Sequence, residues 1–218
     1  MDITWLGHSC FIIKGKGTTV ITDPCHPAFG YHLGEPGADI ITLSHPHLGH
    51  NYIEGLANNP QQIKGPGEYE VKGTFITGIA TFHDNSKGSL KGKNTIYVIE
   101  MDGVTLCHLG DLGHALSPQL IEELGDIDIL FLPVGEISTI SIDVALDIIR
   151  QLYPKIVIPM HYSTEVSTGK LEPVDKFLNK MGVKETEAKP KLSITSLSLP
   201  GNTQTVVLNL SSRPARLL

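Results

Sequence analysis

The residues with most chemical potential lie in Leu43-Ser44-His45-Pro46-His47-Leu48-Gly49-His50-Asn51, where three imidazoles fall within six residues directly after an apolar run. Neutral imidazole is the commonest metal ligand in proteins. A loop at a strand end can turn His45 and His47 toward one point, and His50, at the start of the next segment, toward a neighbouring one. The same placement recurs elsewhere. His83 follows the apolar run 74–82, Asp111 follows 104–109, and His161 follows 155–160. A polar strand cap would explain any one of these. Four together point to a metal site, because strand ends at one rim of a layered fold converge in space. Nitrogen and oxygen ligands without thiolate suit Zn, Mn, Fe or Ni.

The elements that must carry these residues are mostly strands. Short β-branched runs at 3–6, 11–13, 18–21, 39–43, 74–82, 95–101, 104–109, 127–132, 155–160, 192–197 and 205–210 are bounded by Gly, Pro, Asp or Asn, which predicts strands. Asp102-Gly103 between two of them is a hairpin signal. Helices are fewer. One is expected over 51–58. A second starts at Ser117-Pro118, an N-cap followed by proline at the first helical position. A third spans 141–153 and stops at Pro154, and a fourth spans 173–181 and ends at Gly182. Consecutive strands often meet through short turns, so two packed mixed sheets with helices outside fit better than a doubly wound sheet. No linker divides the chain, and a single domain over 1–218 is expected.

Composition narrows the function. The chain has 218 residues, 40% hydrophobic and 18% charged, enough for a full core and incompatible with disorder. Seventeen basic against 23 acidic residues give a formal charge of -6, which disfavours a nucleic-acid partner. No run approaches a membrane helix. Met1-Asp2-Ile3-Thr4-Trp5 lacks a basic stretch followed by an apolar one, so no signal peptide is expected. The three cysteines, Cys10, Cys25 and Cys107, are too few and scattered for a disulfide framework and read as reduced core thiols. A cytoplasmic protein acting on a small-molecule substrate, without nucleic acid or membrane, is the expectation, and homo-oligomerisation stays open.

The histidine cluster resembles the His-x-His-x-Asp-His signature of the metallo-β-lactamase fold. The resemblance covers nearly the whole chain: Trp5-Leu6-Gly7-His8-Ser9, Thr22-Asp23-Pro24, Gly67-Glu68-Tyr69-Glu70-Val71, Phe82-His83-Asp84, Leu109-Gly110-Asp111 and Ile158-Pro159-Met160-His161-Tyr162. The opening and closing motifs are similar to the branch that contains L-ascorbate-6-phosphate lactonase and other Zn-dependent hydrolases. The resemblance implies a four-layer αββα sandwich of two mixed sheets with helices outside. It implies one or two divalent ions, zinc before Mn, Fe or Ni. The first metal would take His45, His47 and His83. The second would take His50 and His161, and Asp111 would bridge the two and contact the nucleophile. Asp23 would steady the histidine loop from behind, and His8 would lie near the pocket. His108 and His114 flank Asp111 and read as structural, while His26 and His32 receive no role.

The signature's aspartate is Gly49 here. In the family that carboxylate ligates the second metal, and glycine supplies none. Two readings follow. In one, the chain is a metal-dependent hydrolase of an ester, lactone or phosphodiester bond, and an aspartate restored at position 49 should tighten the second metal. In the other, it is a catalytically degenerate metal- or ligand-binding member of the fold. Asp84, beside His83, is a candidate replacement carboxylate. The loop 84–94 carries three lysines and follows a candidate ligand. It is either a cover that draws an anionic substrate or a solvated hairpin tip.

Overall fold

The computed structural model describes residues 1–183 and 186–211; the end of the single-domain expectation, 212–218, and residues 184–185 lie outside them. One mixed sheet contains β1 (Asp2–Gly7), β2 (Cys10–Lys14), β3 (Thr19–Thr22), β4 (Ile40–Leu43), β5 (Gln61–Lys64) and the short β12 (Leu192–Ser193), in the order β12-β1-β2-β3-β4-β5. The other contains β6 (Gly67–Val71), β7 (Thr74–Phe82), β8 (Lys93–Met101), β9 (Val104–His108), β10 (Ile129–Pro133), β11 (Ile156–Met160) and β13 (Gln204–Thr205), in the order β13-β11-β10-β9-β8-β7-β6. Each sheet is antiparallel on one side and parallel on the other. The switch falls after β3 in the first and after β9 in the second.

The pleat explains the core. Val20 and Ile40 are register partners and face the large cluster between the sheets, with Phe11, Ile13, Ile96, Leu106 and Phe131. Their neighbours Ile21 and Ile41 point the other way, into a smaller cluster with Leu6, Cys10, Leu33 and Leu43. Period-two alternation in strands buried on both sides produces both clusters from the same runs. Two contacts tie the sheets together where β4 ends. The Tyr97 hydroxyl lies 3.0 Å from the Leu43 carbonyl, and Thr95 N donates to the Ser44 carbonyl at 2.9 Å. The histidine loop therefore leaves from a fixed base.

Helix α1 (Pro118–Leu124) is capped by Ser117, whose hydroxyl accepts from Leu120 N. Helix α2 (Ile142–Leu152) is capped by Ser141 in the same way and buries Ile142, Ala145, Ile148 and Ile149. Helix α3 (Val174–Lys180) buries Phe177. The Asp102-Gly103 hairpin forms as expected, both residues having positive φ. The helix expected over 51–58 is only a 3-10 turn, Ile53–Gly55, because that segment has no apolar stripe to bury. The runs 192–197 and 205–210 shrink to two-residue strands plus isolated bridges, and Thr195 caps a 3-10 turn instead.

Candidate metal centre

Four loops at the ends of β4, β7, β9 and β11 deliver the side chains that the sequence singled out. Four of the imidazoles meet at one carboxylate oxygen, and His47 lies beside His45 and His83. Asp111 Oδ2 lies 3.2 Å from His83 Nε2, 3.3 Å from His50 Nε2, 3.3 Å from His161 Nε2 and 3.9 Å from His45 Nε2. His45, His50, His83, Asp111 and His161 are buried, and His47 is exposed at the mouth. Three ligand sets emerge, each with its donor atoms within 4.8 Å of one another: His45, His47 and His83; His45, His50 and Asp111; His8, His50 and His161. Every histidine given a ligand role is thus brought together, and His8 joins them.

Asp23, fully buried, organises the cluster from behind. Its Oδ1 accepts from Ser44 N at 2.7 Å, and its Oδ2 accepts from Ser44 Oγ at 2.5 Å and His50 Nδ1 at 2.9 Å. The Ser44 hydroxyl proton goes to Asp23, so Ser44 Oγ accepts from His45 Nδ1 at 2.9 Å. One carboxylate therefore sets two tautomers and leaves the Nε2 atoms of His45 and His50 aimed at Asp111. Burial opposes charge throughout, and neighbours decide the outcome. Burial, reinforced by the His50 charge, drops His45 to about 3, so this ring is neutral. Burial would lower His50 too, but the Asp111 and Asp23 carboxylates outweigh it and raise the imidazole to about 10. Burial would raise Asp111, yet His161 and His50 hold it well below the usual carboxylate range. Hydrogen bonding from His50 lowers Asp23 as well, against its burial.

Two residues without any warning in the sequence complete the framework. Ser44 is one. Asn94 is the other: its Oδ1 accepts from Asp111 N at 3.0 Å, and its Nδ2 donates to Thr81 Oγ1 and to the Leu109 carbonyl. Gly113 then lets the Asp111 loop lie against the His83 backbone, where a Cβ would come within 2.2 Å of His83 C. The remaining histidines are structural. His108 Nε2 donates to Ser9 O at 2.9 Å while its Nδ1 accepts from Gly110 N. His114 Nε2 accepts from Phe82 N. His26 and His32 each accept a backbone N–H within their own loop.

Two readings need correction. Asp84 does not offer its carboxylate to a metal. It accepts from Ser86 N, Gly88 N, Leu90 N and Lys91 N, and those backbone donors overcome desolvation to lower it to about 2. It folds the loop 84–94, and that loop does not cover the site. The site cavity of about 240 Å³ is lined by none of its residues. Lys91 instead donates to Ser138 O, and Lys93 lines a separate, larger cleft of about 610 Å³ between the sheets. The wall opposite the cluster comes from Phe29, Tyr31 and Ser167–Leu171, with Lys170 the cation among the lining residues. Hydrogen bonds from Thr168 to the Ala28 and Phe29 carbonyls hold this wall.

These donors fit a metal ion. His45 Nε2 and Asp111 Oδ1 are buried with no hydrogen-bond partner, although such groups are nearly always paired. An ionised carboxylate and imidazole nitrogens converging there are the chemistry that a divalent cation satisfies, the cation displacing the proton that His50 holds in its absence. Thiolates play no part: Cys10, Cys25 and Cys107 are free and buried, and burial raises each thiol. Among the described residues no helix is long and apolar enough to cross a membrane.

Comparison with known proteins agrees with this geometry. Residues 2–161 match the model of the β-lactamase superfamily domain. A metal-dependent hydrolase of Methanoculleus marisnigri is 32% identical over 187 residues, covering 75% of this chain and 82% of its own. One from Archaeoglobus fulgidus is 31% identical over 195 residues, covering 75% and 84%. A metallo-β-lactamase-superfamily protein of Thermotoga maritima superposes with a TM-score of 0.79 at 38% identity, covering 95% of this chain and 97% of that one. The two mixed sheets, the histidine loop and the central position of Asp111 among the imidazoles have the same explanation: the chain belongs to the metallo-β-lactamase superfamily, in the family of metal-dependent hydrolases.

Proposed function

We propose that the protein hydrolyses an ester, lactone or phosphodiester bond in a small anionic substrate at a centre with two adjacent metal positions. The first position is assigned to His45, His47 and His83, the second to His50 and His161, with Asp111 shared between them and zinc the leading candidate. The observation that carries this reading is the approach of four imidazole Nε2 atoms to within 3.2–3.9 Å of Asp111 Oδ2, with Asp111 Oδ1 left unpartnered. The bound metal supplies an activated water near neutral pH and polarises the scissile oxygen. The chain supplies the rest. Asp23, directly and through Ser44, keeps lone pairs on His50 and His45 facing the centre. Asn94 fixes the backbone of Asp111. Phe29, Tyr31 and Leu171 give the cavity an apolar wall that excludes bulk water, and Lys170 at its rim draws a phosphate or carboxylate.

The test is metal content by elemental analysis after dialysis, followed by a hydrolysis screen of lactones, phosphodiesters and β-lactams with Zn, Mn, Fe and Ni reconstitution. Two equivalents are expected in the native protein, with chelator-sensitive hydrolysis of one class. His47→Ala should lose the tighter equivalent, and His161→Ala the weaker. Metal bound at full stoichiometry without turnover in any class would favour the degenerate ligand-binding reading.

A further inference from the structure

Position 49, where the family signature has an aspartate, has a physical occupant. An ideal Cβ built on Gly49 would lie 2.9 Å from His8 Nε2, 3.2 Å from His8 Cδ2 and 3.5 Å from Phe29 Cζ. Real Cβ atoms do not approach that closely. The glycine is not required by its backbone, since φ at Gly49 is not positive. The space next to its Cα is taken by an imidazole arriving from the β1–β2 turn.

The backbone that carries this imidazole is held firmly. His8 has φ 54, and its carbonyl accepts from Trp5 Nε1 at 3.0 Å and from His161 N at 3.0 Å. Gly7, at φ 108, lets the Tyr31 ring press against the same turn, where a Cβ would lie 2.1 Å from the ring. The His8 ring is buried, with its centroid 4.1 Å from that of His161 and 5.0 Å from that of His50. Among the described residues neither of its ring nitrogens makes a hydrogen bond. Its donor atom lies within 4.8 Å of those of His50 and His161.

We infer that His8 is the third protein ligand of the second metal, standing in for the signature aspartate, so that this position takes His8, His50, His161 and the shared Asp111. The inference rests on the metal centre proposed above and changes its chemistry. A neutral nitrogen replaces a carboxylate oxygen, so two divalent ions keep about three uncompensated positive charges rather than two. Imidazole favours Zn, Fe, Ni and Cu, whereas carboxylate favours Mn and Mg, so the second position discriminates against manganese. Restoring an aspartate at position 49 then does not tighten the site, contrary to the expectation from the signature alone, because its Cβ drives into His8.

The experiment is calorimetric zinc titration of dialysed protein, with elemental analysis. Native protein should show two steps. His8→Asn, which keeps a residue tolerant of positive φ, should weaken the second step at least tenfold and leave the first unchanged. Gly49→Asp alone should weaken the second step, whereas His8→Gly with Gly49→Asp, which frees the space and tolerates the positive φ, should recover it and shift its Mn:Zn preference at least tenfold toward manganese. In crystals of zinc-loaded native protein, His8 Nε2 should lie about 2.0–2.1 Å from the second ion, a readout that needs no variant to fold. His8→Asn with both steps within twofold of native, Gly49→Asp tightening with His8 intact, or an ion more than 3 Å from His8 overturns the inference and leaves the metal centre standing. Native protein that takes up no zinc overturns the metal centre itself.

Discussion

Asp23→Asn should weaken metal binding without any ligand being touched. The side chain makes three hydrogen bonds, two of them to Oδ2, from Ser44 Oγ at 2.5 Å and from His50 Nδ1 at 2.9 Å. Asparagine keeps the bond from Ser44 N through its oxygen. At the other position it presents an NH2 group to two donors. His50 must then turn its Nδ1 lone pair toward the new amide and carry its proton on Nε2, where the ligand lone pair is needed. Ser44 can accept from the amide and donate to His45 Nδ1, reversing that tautomer too. Loss of such an orienting partner typically costs 10–100-fold in metal affinity, or ~1.4–2.7 kcal/mol. Loss of the charge-assisted bonds costs the metal-free fold roughly 3 kcal/mol, about 6–12 °C in Tm for a chain of this size. The backbone is not the cause, since Asp23 sits at φ 36 and asparagine tolerates that region as well as aspartate. Zinc titration of Asp23→Asn and Ser44→Ala separates the two limbs. Ser44→Ala should weaken only the position containing His45, whereas Asp23→Asn should weaken both. Affinities for Asp23→Asn within twofold of native at both positions would refute the argument.

Lys170→Glu reverses the charge at the cavity mouth and should raise KM for an anionic substrate at least several-fold, with kcat nearly unchanged and the effect shrinking in high salt; equal effects on a neutral analogue would count against it. Alkaline pH should destabilise the metal-free protein through its buried thiols. Burial raises Cys25 from 9.0 to about 12 and Cys107 further still. A raised folded-state value means that the stability present below pH 9 is lost as pH rises toward the folded value. At pH 10 the loss is roughly 1.4 kcal/mol per thiol. Urea melts between pH 8 and 10 should show this slope on top of the losses from His50 and Cys10, whose raised values give up stability over the same range, and the slope should become shallower in Cys25→Ala with Cys107→Ala.

The sequence made the inner strands and the ligand loops readable for the same reason. Strands buried on both faces must be continuous apolar runs, and the polar residue that breaks such a run is where the chain leaves the sheet for the rim. That is how His83, Asp111 and His161 announced themselves. Edge strands escape this logic. β5, Gln61–Lys64, and β6, Gly67–Val71, are edge strands of the two different sheets and bury little, so neither alternation nor apolarity marks them. The site's supports were equally silent. Ser44 and Asn94 act through single hydrogen bonds that no spacing encodes. The pairing of His8 with Gly49 depends on a hairpin turn and a histidine loop meeting across the cavity. Sequence alone shows a missing carboxylate there, and geometry shows an imidazole in its place.

The most direct measurement is anomalous diffraction at the zinc edge from crystals of the zinc-loaded protein. Two peaks flanking the Asp111 carboxylate are expected, one bonded to His45, His47 and His83 and the other to His50, His161 and His8. Crystals grown in excess zinc with no peak within about 2.5 Å of these nitrogens would contradict the account.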